Sequence, residues 1–395
     1  MIVLRPSAPA RKRTAGAVVL TVVLASLLAA CVAPPTAEPT ATATATPTPT
    51  PTPPANSLTA LRITEITEQQ CPATVTADVL SELPETAANA IDFLAGSAQC
   101  ALIGLVAQAP AHPATFVSPL QYTAPCTTAA MVTVWAHYDD DLIFGNPTIA
   151  NAIAAGQCVR TLFITGSDAG MGSEYATNRE AGIRAAYDVI RGGAGEWIDT
   201  TVTLRSGLTV TATAPVGDNR VVLLFVRLPD GGLDAGGFGA TGHQALPRLL
   251  SGAVPSITTI DAGREVTLAA LEGGIAEMVA AYAPQSVLAH MTSLSPLSEG
   301  DHPDHSATGT LVSNLVDQGL ISSAIVQYAV GYPSEWNAVN LGGAELQLKL
   351  DAFAAYAVHD SVLKCSSAQS CLGVRKFGAW LQRQYLVPDA EIVRP

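Results

Sequence analysis

Apolar and polar positions divide this chain into stretches of different kinds. Residues 15–30 form one apolar run, preceded by the basic Arg5, Arg11, Lys12 and Arg13. Residues 33–56 are nearly all Pro, Thr and Ala. From residue 131, short apolar runs alternate with longer amphipathic stretches. The short runs predict buried strands and the longer stretches predict helices. Strands are expected at 131–136, 159–165, 221–228, 286–291 and 324–330, with an antiparallel excursion at 198–204 and 208–214. Helices are expected at 148–155, 174–191, 265–282, 306–318, 346–359 and 374–385, and loops at 230–242 and 331–343. This alternation predicts an α/β fold: a mostly parallel sheet with helices on both faces. Ligands on such sheets sit beyond the carboxyl ends of the strands.

The N-terminal apolar run is short for a spanning helix. It ends Leu27-Leu-Ala-Ala-Cys31, which resembles the bacterial lipoprotein signal. The resemblance implies a signal peptide over 1–31, a lipid on Cys31, and an extracytoplasmic protein anchored to the cell membrane. An uncleaved anchor would leave the domain on the same side of the membrane. The Pro/Thr tract at 32–57 cannot build a core and favours extended polyproline II. At ~3.1 Å per residue it would reach roughly 70 Å, as a stalk. Residues 58–128 then read as a small extension and 129–388 as the main domain.

The chain has 395 residues and a formal net charge of −13, and its first thirty residues carry basic side chains and no acid. Phosphate backbones need a basic face, so a nucleic-acid partner is not expected. Six cysteines remain beyond Cys31. An even number in an exported chain points to disulfides, although six cysteines allow 15 pairings. Sequence proximity favours Cys71–Cys100 and Cys365–Cys371, which leaves Cys126–Cys158, each just before a predicted strand. No C-x-x-C occurs, which argues against a thiolate metal site.

The chemistry centres on His137-Tyr138-Asp139-Asp140-Asp141, directly after the strand predicted at 131–136. An imidazole and three carboxylates at the end of a buried strand are costly to desolvate unless they hold a cation. His137 and Asp140, three apart on a turn, can face one ion. Asp301-His302-Pro303-Asp304-His305 offers a third ligand, which leaves one position open for water in a catalytic zinc site. Gly166-Ser-Asp-Ala-Gly-Met-Gly172 follows a strand but matches neither the dinucleotide nor the Walker pattern. His243, His290 and His359 have no partner in sequence and read as structural. Trp197, Trp336 and Trp380 read as packing residues, with a role as sugar platforms the alternative.

These residues carry a resemblance. Ala136-His-Tyr-Asp-Asp-Asp141 is similar to the Ala-His-Pro-Asp-Asp-Glu signature of the PIG-L/LmbE-like zinc de-N-acetylases, and His302-Pro-Asp-His305 to their second signature. The blocks Thr165–Gly170, Asn178-Arg-Glu180 and Arg227-Leu-Pro-Asp-Gly231 follow the family's order over roughly 131–385. Tyr138 and Asp141 replace Pro and Glu, and Gly300 stands where some members carry Tyr. The resemblance implies a Rossmann-like fold and zinc-dependent removal of acetyl groups from N-acetylated amino sugars or related amides. His137, Asp140 and His305 would hold Zn2+, and Asp139 would act as general base. His302 would stabilise the oxyanion and protonate the leaving amine. Asp304 or Asp301 would orient His302. Arg179, Asp230 and Asp168 are the expected substrate contacts. The alternatives are an amidase acting on a non-sugar amide and a non-catalytic carbohydrate-binding lipoprotein.

The lipoprotein reading is checked by metabolic labelling. Labelled fatty acid is expected to enter the wild-type protein and to be absent from Cys31→Ser.

Overall fold

The structure, a computed structural model, describes residues 118–394, all within the compact unit Ala111–Pro395. Cys31, the Cys71–Cys100 pairing, the stalk and nearly all of the 58–128 extension lie outside the described residues. Among the described residues no helix is long and apolar enough to cross a membrane.

The central strand β1 (Ala130–Trp135) pairs in parallel with β2 (Cys158–Thr165) on one side and β8 (Ser286–His290) on the other. Outward from β2 come β5 (Val221–Leu228), parallel, then β4 (Thr209–Pro215) and β3 (Trp197–Thr203), antiparallel. Outward from β8 come β9 (Val326–Ala329), parallel, and β10 (Leu386–Pro388), antiparallel. The result is a mixed, mostly parallel eight-stranded sheet in the order β10-β9-β8-β1-β2-β5-β4-β3. Strand order reverses between β1 and β8, and a crevice opens beyond the strand ends at such a point.

Both faces are covered, as the continuous apolar runs require. Val132 and Val134 of β1 point into a core shared with α5 (Leu268–Tyr282) and α6 (Pro303–Asp317). Met131 and Trp135 point the other way, into a core built with α3 (Ser173–Ile190) and α7 (Gly343–Ala357). This alternation is the period of two expected of a strand buried on both sides. Helix α6 lies unusually close to the sheet, because a Cβ at Gly309 would fall 2.3 Å from the His290 carbonyl oxygen. That close approach sets the first turn of α6 beside the ends of β1 and β8.

Two of the predicted helices are different. Residues 265–282 begin as a short strand, β7 (Glu265–Thr267), paired with β6 (Ser256–Thr258). The β-branched Val266 and Thr267 favour extended backbone, and the Thr267 hydroxyl then caps α5 at the Ala270 N–H. Residues 374–385 hold only the short α9 (Phe377–Leu381) before the chain extends into β10. Lys376 sits at φ 72°, a left-handed conformation that interrupts a helix.

Cys126 and Cys158 are bridged, with Cα atoms 5.9 Å apart, and tie the segment before β1 to the start of β2. Cys365 and Cys371 are also bridged. In Cys126→Ser/Cys158→Ser the unfolding free energy in denaturant is expected to fall by about 3–4 kcal/mol, the loop-closure term for this separation. An unchanged midpoint would count against this role.

Candidate metal centre and its cavity

His137 leaves the end of β1, and Asp139 and Asp140 follow on the turn into a short π-helix, Asp141–Gly145. Asp140 turns back on the chain, and its Oδ2 accepts from the His137 N–H at 2.6 Å and from His290 Nε2 at 2.8 Å. Its other oxygen, Oδ1, lies 2.9 Å from His305 Nε2. His137 Nδ1 lies 3.1 Å from His305 Nε2 and 3.2 Å from Asp140 Oδ2. Tetrahedral ligands ~2.0–2.1 Å from one zinc lie roughly 3.3 Å apart, so the three side chains present a fitting donor triangle.

The partners of the two rings fix where their lone pairs point. His305 Nδ1 donates to Asp301 Oδ1 at 2.8 Å, which leaves the lone pair on Nε2. His137 Nε2 faces Asp304 Oδ2 at 3.4 Å and Asp230 Oδ2 at 3.6 Å, which leaves the lone pair on Nδ1. The two lone pairs therefore face each other at hydrogen-bond distance, beside a carboxylate. Two facing lone pairs repel unless a cation sits between them, and this donor set fits a divalent metal.

Asp301 and Asp304 thus hold His305 and His137, where His302 was expected to be their partner. Asp301 also does not cap α6. That role falls to His302, whose Nδ1 accepts from the Asp304 N–H at 3.2 Å. An accepting Nδ1 puts the ring proton of neutral His302 on Nε2, 4.0 Å from Asp230 Oδ1 at the cavity wall. Burial, then the neighbouring His137 and His305, push protonation of His302 far below the ordinary imidazole range. This arrangement directs the His302 Nε2 proton toward the cavity as a hydrogen-bond donor.

Asp139 points away from Asp140. Its Oδ1 accepts from Arg179 Nη2 at 2.7 Å. Burial raises the Asp139 carboxyl above its ordinary value, and Arg179 opposes the rise. The Arg179 guanidinium also donates to the Ser167 carbonyl oxygen at 2.8 Å and to the Tyr356 hydroxyl, and lies 3.3 Å from Asp360 Oδ2. Arg179 lines the cavity, but its main contacts are protein groups, which makes it chiefly the holder of Asp139.

Asp230 lines the same cavity, within 3.6 Å of His137. Asp168 does not line it. It is fully buried, and its carboxylate accepts from the Asp230 N–H at 2.9 Å and from the Gly170 N–H at 3.2 Å. It shapes the loop that carries Asp230 and does not reach the cavity beside the His/Asp cluster.

The two departures from the signature are absorbed locally. Tyr138 is buried and donates to Glu180 Oε1 at 3.0 Å, where Glu180 also pairs with Arg227. Asp141 is buried and accepts from the Tyr187 hydroxyl at 2.7 Å.

The cavity is about 330 Å³. His137, Asp139, Asp140, Asp230, His302, Arg179 and Asp360 line its polar part, and Ile143, Leu233, Phe238, Val362, Leu363 and Phe377 its apolar part. Sequence reasoning missed His290, whose ring stacks on His305 at 4.0 Å and 7°. Its place as the last residue of β8, opposite the end of β1, was the available signal. It also missed Tyr332, Tyr356 and Asp360, which carry no motif. Trp380 is buried and stacks on Tyr332, Trp336 is exposed, and neither lines the cavity.

A Rossmann-like α/β domain with a buried His/Asp cluster at its switch point is the class this fold and site define. Residues 132–316 match the GlcNAc-PI de-N-acetylase family, PIG-L, and this stretch is a PIG-L domain. No curated protein matches the chain. Among solved structures, a deacetylase triple mutant of the teicoplanin biosynthetic pathway is similar at 13% identity, covering 64% of this chain and 88% of its own, with a TM-score of 0.37. N,N'-diacetylchitobiose deacetylase from Pyrococcus horikoshii is similar at 14% identity, covering 73% and 92%, with a TM-score of 0.37. The A40926 pseudoaglycone deacetylase is similar at 14% identity, covering 59% and 83%, with a TM-score of 0.34.

Asp301→Ala leaves His305 Nδ1 without its acceptor. Zinc affinity, measured by competition with a chromophoric chelator, is expected to weaken about 10–100-fold, the usual cost of losing such a partner. Unchanged affinity would separate Asp301 from the metal centre.

Proposed function

We propose that this protein is a zinc-dependent hydrolase that removes the acetyl group from an N-acetylated amino sugar, held outside the cell by a lipid on Cys31. The observation that carries the metal part is the pair of imidazole lone pairs, His137 Nδ1 and His305 Nε2, 3.1 Å apart beside Asp140. The family match supports the acetyl-transfer part, and the Leu27-Leu-Ala-Ala-Cys31 ending supports the anchor.

His137, Asp140 and His305 would hold zinc. A bound zinc supplies Lewis-acid polarisation of the amide carbonyl and lowers the pKa of water toward neutrality. Asp139, fixed by Arg179 and raised by burial, takes the proton of the attacking water. His302 offers its Nε2 proton as a hydrogen bond to the carbonyl oxygen as that atom gains charge. A neutral imidazole is a poor acid, so Asp139 returns its proton to the departing nitrogen. His290 and the His137 N–H occupy Asp140 Oδ2, so Oδ1 is the oxygen that would be left to help hold the ion.

Acetate release from N-acetylated glycans, normalised to bound zinc, tests this assignment. Asp139→Asn is expected to keep zinc near full occupancy and to lose turnover by about 10²–10⁴-fold, because an amide cannot take the proton. Asp140→Ala is expected to lose zinc. Full activity per zinc in Asp139→Asn would refute the general base, and zinc loss there would mean the two aspartates are exchanged. A wild type without amide hydrolysis would leave a carbohydrate-binding protein.

A further inference from the structure

The cavity's charged and apolar halves constrain what the sugar is attached to. Asp139, Asp140, Asp230 and Asp360 line the cavity, and Arg179 is the one Lys or Arg among the described lining residues. That guanidinium is already shared between Asp139 at 2.7 Å and Asp360 at 3.3 Å. A divalent cation on His137, Asp140 and His305, added to Arg179, leaves no cationic surplus over four carboxylates. A phosphate group in the cavity would therefore meet carboxylates it cannot pair with. Phosphate sites are instead built from Arg, Lys or free backbone N–H groups.

The lining also has an apolar, open part. Leu233 is 78% exposed and Val362 is 58% exposed, yet both line the cavity. They come from distant segments: Leu233 from the Gly-rich loop after β5, and Val362 from the turn after α7. Phe238, Leu363 and Phe377 line the same cavity. Exposed apolar side chains that converge on a cavity from separate segments mark a place where an apolar ligand group is buried. The Val362 turn is held in place, since Asp360 Oδ1 accepts from the Val362 N–H at 2.9 Å and the Cys365–Cys371 bridge follows.

We propose that the N-acetylated sugar carries an uncharged apolar aglycone, seated against Leu233, Phe238, Val362, Leu363 and Phe377, and that phosphate-linked sugars are poor substrates. The inference rests on the deacetylase reading above for its turnover test, and a binding test separates the two.

Full-length protein is assayed for acetate release from methyl and octyl 2-acetamido-2-deoxyglucoside and from N-acetylglucosamine 1-phosphate. Each buried methylene adds to binding, so kcat/KM for the octyl glycoside is expected to exceed that for the methyl glycoside by about 10-fold or more. The 1-phosphate is expected to fall about 10-fold or more below the methyl glycoside. In Leu233→Ser/Val362→Ser the octyl-to-methyl ratio should approach 1. An octyl-to-methyl ratio near 1 in the wild type, or a 1-phosphate as good as the methyl glycoside, overturns the proposal. If no sugar releases acetate, the deacetylase reading falls, and calorimetry with octyl and methyl glucosaminide decides the apolar seat. Tighter octyl binding that is lost in the double variant supports it, and equal binding overturns it.

Discussion

The structure turns on one carboxylate. Asp140 accepts a backbone N–H and the His290 imidazole on one oxygen and meets His305 with the other. It draws together the ends of β1 and β8 and the first turn of α6. A buried carboxylate with these neighbours is held well below its ordinary pKa by His305, His290 and His137, despite the opposing effect of burial. An anion so deeply placed is tolerated only with partners that offset its burial. Two donors, the His137 N–H and His290, meet one oxygen, and a cation between His137 and His305 would meet the other.

The fold supplies the meeting point before any chemistry is added. β2 and β5 build outward on one side of β1, and β8 and β9 on the other. The segments that leave β1 and β8 are thus brought face to face. Gly309 lets α6 approach the sheet closely enough for His305 to reach His137. On the other flank, Gly231 lies against Asp304, where a Cβ would fall 2.5 Å from its Oδ1. The loop carrying Asp230 can therefore close over the first turn of α6 and donate the Gly231 N–H to Asp304.

The central sheet, its parallel core and the antiparallel excursion were legible because buried strands leave continuous apolar runs. The meeting of His137, Asp140 and His305 was legible because both His motifs follow strands whose ends must converge. The partners of each side chain were not legible. Asp301 was expected to hold His302, but α6 turns His305 Nδ1 toward it four residues on. Asp168 was expected on the rim, but the turn at Ser167, with φ 52°, directs it beneath the 230 loop. Arg179 was expected at the substrate, yet Tyr356 and Asp360 reach it from almost two hundred residues away. Such assignments depend on rotamers and long-range packing, which no local pattern records.

The His/Asp cluster and the apolar lining of the cavity are distributed differently along the chain. The His/Asp cluster lies wholly inside residues 132–316, the stretch shared with the family. Tyr332, Asp360, Val362, Leu363 and Phe377 all come after it. The apolar lining is drawn both from that stretch, at Leu233 and Phe238, and from the chain after it, at Val362, Leu363 and Phe377. Substitutions at these last three positions can reshape what enters the cavity while the His/Asp cluster stays fixed, so long as Tyr356 and Asp360 keep their hold on Arg179.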